Sequence, residues 1–328
     1  MEHHTQAVSN ARPVAVFAGY MVAAAVLTAA SITTVCAGAS TRRHRGHGRS
    51  ASHAHRPRAA IVAFAALAVL SLATTWRHMF GFFRWSYLEW AASRGQLAAE
   101  QTPLSELRLG EWLRDTTLFK QAWAATLETP ARAWWSLQVF GCCANWSVTL
   151  AVQAKRRAIP RVCVFMLLGQ VVAISFAMNL SFLAFLLHDA VLPTSLERDP
   201  VAGPAASSPS LNHFILALNI SLALVIPGSF GHPHFMWLLL APHLLAFAPL
   251  LLNALSSRGK QPAEPSWYIK SASQAVIVAV ATTAVARQGG SLAVIAGAFY
   301  EHPAVSSVGW DVICCWLSSV AWYALGEA

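Results

Sequence analysis

The fold is decided by stretches such as VCVFMLLGQVVAISFAMNLSFLAFLL, residues 162–187, in which no side chain is charged. A helix needs about 20 apolar residues to cross the ~30 Å hydrocarbon core of a bilayer. Seven other stretches meet or approach that length: residues 14–37, 59–76, 134–152, 212–229, 236–255, 271–287 and 308–325. The sequence therefore predicts an all-α fold, a polytopic transmembrane helical bundle of about seven to eight spans.

The composition separates the chain from soluble enzymes. Hydrophobic residues make up 56% of it and charged residues 11%, whereas an ordinary soluble domain has about 25% charged residues. The apolar runs are continuous and do not alternate with polar residues, which excludes a membrane β-barrel. We therefore expect residues 1–328 to form a single integral-membrane helical domain.

Two basic segments predict the orientation of the bundle. Residues 42–58 carry six Lys or Arg side chains, and residues 153–161 carry four. Short loops rich in Lys and Arg stay on the cytoplasmic side, so the net charge of +9 reflects topology and not a nucleic-acid partner. We predict an unstructured cytoplasmic loop over residues 38–58. The basic residues of 256–270 fall on the opposite side in this scheme, which leaves open a missing or re-entrant span near residues 231–236.

Residues 77–133 are the longest segment between predicted spans, and they mix charge with aromatic rings. Seven rings fall within 15 residues: Trp76, Phe80, Phe82, Phe83, Trp85, Tyr87 and Trp90. Aromatic rings of this kind prefer the headgroup level of a bilayer, so we predict an interfacial helix over residues 79–92. Thr102 as N-cap and Pro103 at the first helical position predict a second, amphipathic helix over residues 102–127.

The cysteine and histidine patterns predict neither a disulfide nor a metal centre. All six cysteines fall within predicted spans, where a thiol behaves as a small hydrophobe. His232 and His234, with His243 in the next span, make a weak metal-binding pattern because no third ligand has a recognisable spacing. The chain also has no Walker loop and no nucleophile elbow. We expect no cofactor.

Asp311 is the most informative polar residue within a predicted span. An ionisable side chain at membrane depth is costly unless it faces the bundle interior or water, so it is a functional candidate. Other residues follow it at helical spacing: Cys314, Cys315, Ser318, Ser319 and Trp322. We expect this stripe to face protein or a cavity. Two roles fit Asp311, an intramembrane functional group or a carboxylate hydrogen-bonded to a neighbouring helix.

Three asparagines, Asn145, Asn179 and Asn219, each begin an N-x-S triplet within a predicted span. The glycosylation machinery does not reach such positions. We expect these side chains to form hydrogen bonds between helices.

The acids of residues 77–133 are candidates for proton transfer. Glu89 lies among the aromatic rings, and Glu111 and Asp115 lie one helical turn apart. Two neighbouring carboxyl groups can hold a raised pKa and donate a proton. The alternative is a solvated helix face in which Arg108 and Arg114 pair with the two acids.

Three short motifs resemble a known family. They are LFKQAW at residues 118–123, WWS at 134–136 and SSVGWD at 306–311. They resemble stretches of polytopic membrane proteins from fungal secondary-metabolite pathways of the paxilline-type indole-diterpene kind, some regarded as integral-membrane terpene cyclases. The resemblance covers residues 76–187 and the last span. It implies a protonation-initiated cyclase or isomerase for a lipophilic prenylated substrate, and we expect a multi-pass protein of the endoplasmic reticulum.

The residues of the chain are compatible with that reaction. A carboxyl group removed from water keeps its proton, and aromatic faces stabilise a carbocation. The predicted catalytic residues are Asp311, Glu89, Glu111 and Asp115, and the predicted substrate-binding residues are Trp85, Tyr87, Trp123, Trp322 and Asn179. The expected partners are the substrate, membrane lipids and other membrane-bound pathway enzymes. Two other functions stay open, a small-molecule transporter and a non-catalytic scaffold for pathway enzymes.

Overall fold

The computed structural model describes residues 9–45, 55–95, 103, 106–188, 209–255 and 264–326. All regular secondary structure in these ranges is helical, which confirms the all-α class. The helices are α1 Ala11–Arg45, α2 His55–Ser93, α3 Leu109–Asp115, α4 Leu118–Leu127, α5 Pro130–Arg156, α6 Val162–Val171, α7 Ile174–Leu187, α8 Pro209–Val225, α9 Phe235–Leu245, α10 Ala248–Leu255, α11 Trp267–Arg287, α12 Leu292–Glu301 and α13 Pro303–Ala321. A π-helical turn, Trp322–Gly326, continues α13.

Four helices are long and apolar enough to cross a bilayer: Ala11–Ser40, Arg58–Ser93, Trp267–Arg287 and Pro303–Gly326. Helices α9 and α10 meet at a 40° bend and together make a fifth candidate, as a broken span or a re-entrant loop. These helices are those of a multi-pass membrane protein. The predicted count of seven to eight spans is not confirmed.

The three remaining predicted spans are, in turn, broken, short or polar. Residues 162–187 divide into α6 and α7 around Val172 and Ala173. Helix α8 has only 17 residues. Helix α5 has 27 residues, but it carries buried polar side chains such as Gln138 and Gln153. Such a helix suits the centre of a bundle better than contact with lipid.

Helix α5 forms the core of the molecule, and nearly all of its side chains are buried. Helices α11, α13, α8 and α4 pack around it. Gly141 allows the close approach of α11, because a Cβ atom there would collide with the side chains of Gln274 and Ile277. The Trp146 indole, 1% exposed, donates from Nε1 to the Ser181 hydroxyl at 3.0 Å and so joins α5 to α7.

The C-terminal ends of α1, α5 and α7 lie together at what we call the basic end of the bundle. Gly38 of α1 lies against the His188 ring, and Arg157 Nε donates to the Phe185 carbonyl at 2.9 Å. The two basic segments therefore flank the same end. Because α1 continues to Arg45 and α2 begins at His55, the predicted unstructured loop over residues 38–58 is wrong at both of its ends. Residues 46–54 lie outside the described part of the chain.

The opposite end, which we call the aromatic end, differs from both helix predictions. Residues 79–92 form no separate interfacial helix, since α2 runs without a break to Ser93 and no proline interrupts it. The predicted helix over residues 102–127 is two helices, α3 and α4, separated by Thr116 in an extended conformation. Thr102, its predicted N-cap, lies outside the described residues.

Candidate functional site

The break between α6 and α7 is stabilised by partners from two other helices. A helix end leaves backbone N–H and C=O groups without partners, and in a membrane these groups need partners within the protein. Asp311 supplies both carboxylate oxygens to α7, accepting from the amides of Ile174 at 3.0 Å and Ser175 at 2.8 Å. Tyr20 of α1 donates its hydroxyl to the Val171 carbonyl at the end of α6, at 3.0 Å.

Asp311 therefore caps the N-terminus of α7. It is buried and faces the bundle interior, as predicted, and four members of the predicted stripe are buried with it: Cys314, Cys315, Ser318 and Trp322. The positive end of a helix dipole favours a carboxylate at this position. Both oxygens are engaged with backbone amides, which is the hydrogen-bonded role that the sequence left open.

The three asparagines join helices, as predicted. Asn145 Nδ2 donates to the Lys270 carbonyl of α11 at 3.2 Å, and Asn219 Nδ2 donates to the Pro242 carbonyl of α9 at 3.2 Å. Asn179, predicted to bind substrate, is fully buried between α7 and α2. Its Nδ2 lies 2.8 Å from the Ser175 carbonyl and 3.3 Å from the Ser71 hydroxyl. It lines none of the concave sites described below.

The predicted acid pair is ion-paired and does not form a shared proton site. Glu111 receives two hydrogen bonds from Arg108. Asp115 accepts from Arg114 at 2.9 Å and from Arg94 at 2.6 Å. The hydrogen bond from Arg114 is the main cause that lowers the pKa of Asp115, opposite to the raised pKa that the spacing predicted.

Glu89 is exposed on α2. The dry acid expected among the aromatic rings is therefore absent from the described residues of this end.

Two of the predicted substrate-binding rings act in packing at the aromatic end. The Trp85 ring meets the His302 ring edge-on at 4.3 Å, beside the start of α13. The Tyr87 ring packs edge-on against Trp112 of α3 at 5.9 Å. These contacts explain the density of rings in residues 76–90, since they attach α3 and α13 to the end of α2.

A cavity of about 400 Å³, which we call the lateral cavity, lies between α11 and α13 above α5 and α7. Its walls are aromatic: Trp146, Phe182, Trp316, Trp322 and Tyr323. Trp322, predicted to bind substrate, stacks on Phe182 with ring centroids 4.6 Å apart. A wider concavity of about 850 Å³ on the outer face of α11 is an open groove lined by small and apolar residues with Arg287 at its edge.

The lateral cavity opens on the outer surface of the bundle. At its rim, Val320 of α13 is 68% exposed, and Ala275 of α11 is also exposed. Both helices are long enough to span the membrane. The opening therefore lies on the outer face of the bundle, between two helices that are long and apolar enough to cross a bilayer.

The end of the lateral cavity nearest the basic end of the bundle is polar and charged. Lys270, 8% exposed, donates from Nζ to the Thr149 hydroxyl at 2.7 Å and pairs with Glu264. The second oxygen of Glu264 accepts from Gln153 Nε2 at 2.7 Å. Arg156 lies 4.0 Å from the same carboxylate.

Cations exceed anions around this end of the cavity. Arg157 donates to Gln153 Oε1 and so joins the cluster of Lys270 and Arg156. Against these three positive charges, Glu264 is the one carboxylate in contact with the cluster among the described residues. The sequence prediction missed this site because Lys270 was assigned to a connecting loop. The available signal was its place at the start of an apolar stretch, three residues after Trp267.

The three histidines of the weak metal-binding pattern are not brought together. The His232 and His234 rings lie side by side, 5.2 Å apart, whereas His243 pairs with Gln170 on another helix. No three His, Cys, Asp or Glu side chains of the described ranges come together in a way that could hold a metal ion.

Comparison with known proteins gives no relative for this chain: no protein-family model, no curated protein and no solved structure matches it.

Proposed function

We propose that this integral-membrane protein takes a lipophilic small molecule from the bilayer into the lateral cavity and holds its polar end near Lys270. The proposal is carried by one observation, an aromatic cavity that opens between two membrane-spanning helices and ends at a buried lysine. Small-molecule sites typically have volumes of about 300–1,000 Å³ and combine apolar walls with a few polar groups. The lateral cavity has both properties.

The narrower form of the proposal is a protonation-initiated cyclase or isomerase of fungal secondary metabolism. The resemblance of the three short motifs and the aromatic walls support it, since aromatic faces stabilise a carbocation. In this form of the proposal the proton donor is the Lys270 ammonium, which lines the cavity beside Glu264. It is not one of the acids predicted from the sequence. Lys270 donates a proton to an epoxide oxygen as the C–O bond breaks, the electrons of a neighbouring alkene form the new ring bond, and the resulting cation loses a proton from an adjacent carbon to the Lys270–Glu264 pair, so the net reaction is an isomerisation.

A small-molecule transporter is the second candidate. The broken helix formed by α6 and α7, with the buried Asp311 at its break, favours it because many transporters bind ions or substrates at such breaks. Here, however, Asp311 and Tyr20 already satisfy the two helix ends. This arrangement suits a fixed structural break better than an open ion site.

The binding step is tested by filling the lateral cavity. The full-length protein in lipid nanodiscs is titrated with an epoxidised prenyl arene, as wild type, as Val278→Trp and as Val276→Trp. Val278 lines the cavity, whereas Val276 lies on the same helix and is 48% exposed. We expect Val278→Trp to abolish binding and Val276→Trp to retain it. Equal binding by the two variants would contradict the proposal.

The chemical step is tested with the same probe. Removing a general acid typically lowers turnover by about 10²–10⁴-fold, so Lys270→Met combined with Glu264→Gln should abolish cyclised product. The double substitution removes both members of the buried ion pair, and of the ions in contact with Glu264 it leaves only the solvent-accessible Arg156 without a carboxylate. Bound probe without any product from the wild type would refute the cyclase and retain the binding site. Movement of the probe across wild-type proteoliposomes would then favour the transporter.

A further inference from the structure

A second concave site, which we call the α4–α9 groove, lies on the other side of α5 from Lys270. Its volume is about 360 Å³, and its lining includes Phe119, Trp123, Met236, Trp237, Leu240 and His243. Trp237 is 72% exposed and forms the outer wall. All of the lining residues except His243 are apolar or aromatic, so the groove has a hydrocarbon character with one imidazole at its base.

The His243 ring is held in one orientation. Its Nδ1 is hydrogen-bonded to Gln170 Oε1, and the rings of Trp123 and Phe140 lie edge-on to it at 5.3 and 5.2 Å. Helices α4, α5, α6 and α9 thus all contribute to its position. A side chain fixed from four helices is suited to recognise a ligand without rearrangement.

The neighbours of Gln170 determine which ring nitrogen of His243 carries the proton. Gln170 Nε2 lies 3.3 Å from Cys143 Sγ and 3.5 Å from Met166 Sδ. A thioether sulfur can only accept a hydrogen bond, so the amide N–H₂ group faces the sulfur atoms and Oε1 faces the ring. The proton of the neutral imidazole is therefore on Nδ1, and Nε2 carries a free lone pair.

The lone pair of His243 Nε2 has no partner among the described residues. Unlike the unpartnered ring nitrogens of Trp322 and His302, it is not sealed inside the protein. It is therefore reachable from the α4–α9 groove, which His243 lines. A water molecule needs two to four polar partners to be held in place, and this groove offers one acceptor. A hydroxyl group on an apolar molecule needs no more than that.

We propose that the α4–α9 groove binds a lipophilic alcohol, with its hydrocarbon body between Trp123 and Trp237 and its hydroxyl donating to His243 Nε2. Helix α9 belongs to the bent candidate span, so this occupant comes from the bilayer. The site is separate from the lateral cavity, and it does not depend on the function proposed for that cavity.

The experiment compares an alcohol with its own ether. The full-length protein in nanodiscs is exposed to a diazirine-tagged hexadecanol and, separately, to the tagged methyl ether of hexadecanol. After irradiation, the labelled residues are mapped by peptide mass spectrometry. One hydrogen bond corresponds to roughly a five- to tenfold difference in affinity, so residues 119–123 and 236–243 should carry that much more alcohol label than ether label.

Two variants complete the test. His243→Phe keeps a ring in place but removes the acceptor, so the alcohol label should fall to the level of the ether label. His234→Phe alters an exposed histidine near the start of α9 and should keep the full difference. Val278→Trp, which fills the lateral cavity, should also leave the difference unchanged. Equal labelling of the wild type by alcohol and ether would overturn the proposal even if His243→Phe failed to fold.

Discussion

Removal of the Asp311 carboxylate should destabilise the bundle more than any other single polar substitution that we consider. Asp311 accepts hydrogen bonds of 3.0 and 2.8 Å from the first two amides of α7. Each hydrogen bond to a charged group contributes about 1.5–3 kcal/mol to stability, and a donor left buried without a partner adds a further cost. We therefore expect Asp311→Ala to lower the free energy of unfolding by roughly 3–6 kcal/mol.

Asp311→Asn should have about half of that effect. The amide side chain keeps one oxygen for one α7 amide, but it places an N–H₂ group against the other, so that two donors face each other. Loss of one such bond corresponds to about 1.5–3 kcal/mol. Asp115→Asn serves as the control, because its ion pairs lie at the protein surface, where solvent screening leaves a pair with little effect on stability.

The assay measures stability and ligand binding side by side. Thermal unfolding of the purified variants in detergent gives the loss of stability, and the lateral-cavity probe gives the loss of function. We expect the two to fall together, because Asp311 acts through the position of α7, which supplies Phe182 to the cavity wall. Wild-type stability of Asp311→Ala, or lost binding with unchanged stability, would refute the capping role and return Asp311 to the functional candidates.

Two further predictions concern the other helix end and the aromatic end. Tyr20→Phe removes the hydroxyl that caps α6 and should lower the free energy of unfolding by about 1 kcal/mol. A double-mutant cycle with Asp311→Asn, measured by thermal unfolding, tests whether the two caps are coupled. Strictly additive effects would contradict a shared break. The lowered pKa of Asp115 stabilises the folded state above its ordinary value of 3.8, and this contribution is lost as the pH falls through the lower folded value. Acid titration of unfolding should show a slightly larger loss in the wild type than in Asp115→Asn, which keeps the acid dependence of the other ion-paired carboxylates; an identical acid dependence in both would contradict the prediction.

Hydropathy predicted the class of the fold because apolar surface and backbone hydrogen bonding leave a membrane chain few alternatives to helices. The interior position of Asp311 was predictable for a similar reason. Asp311, Ser318 and Trp322 recur at helical spacing and so mark one face of α13. These inferences depend only on residues close in sequence. They needed no knowledge of which helices are neighbours.

The break at Val172 and Ala173 could not be predicted in that way. Neither residue is glycine or proline, and the hydropathy of residues 162–187 is continuous through it. The break is stabilised by Asp311, 137 positions from Ile174, and by Tyr20, 151 positions from Val171. Tertiary contacts of this range override local helix preference, and a single sequence does not reveal them.

For the acids of the aromatic end, residues close in sequence allowed two predictions and did not decide between them. Their spacing predicted a shared proton, but the spacing of the arginines predicted ion pairs equally well. The structure contains the ion pairs: Arg108 pairs with Glu111, and Arg114 pairs with Asp115. Proximity of two carboxylates raises a pKa only when no cation stands closer.

The positions of all described acids limit which carboxylate can take part in the proposed cyclisation. Glu128 and Glu301 both pair with Arg132, and Asp311 caps α7. Glu89 and Glu106 are exposed, and the remaining pair at the aromatic end is neutralised by arginines. Glu264 is therefore the described carboxylate that lies beside an aromatic cavity, and it does so through Lys270. Among the described acids, the proposed cyclase has only this pair to use, and we expect substitution of the pair to abolish turnover while the aromatic walls still bind the substrate with lower affinity.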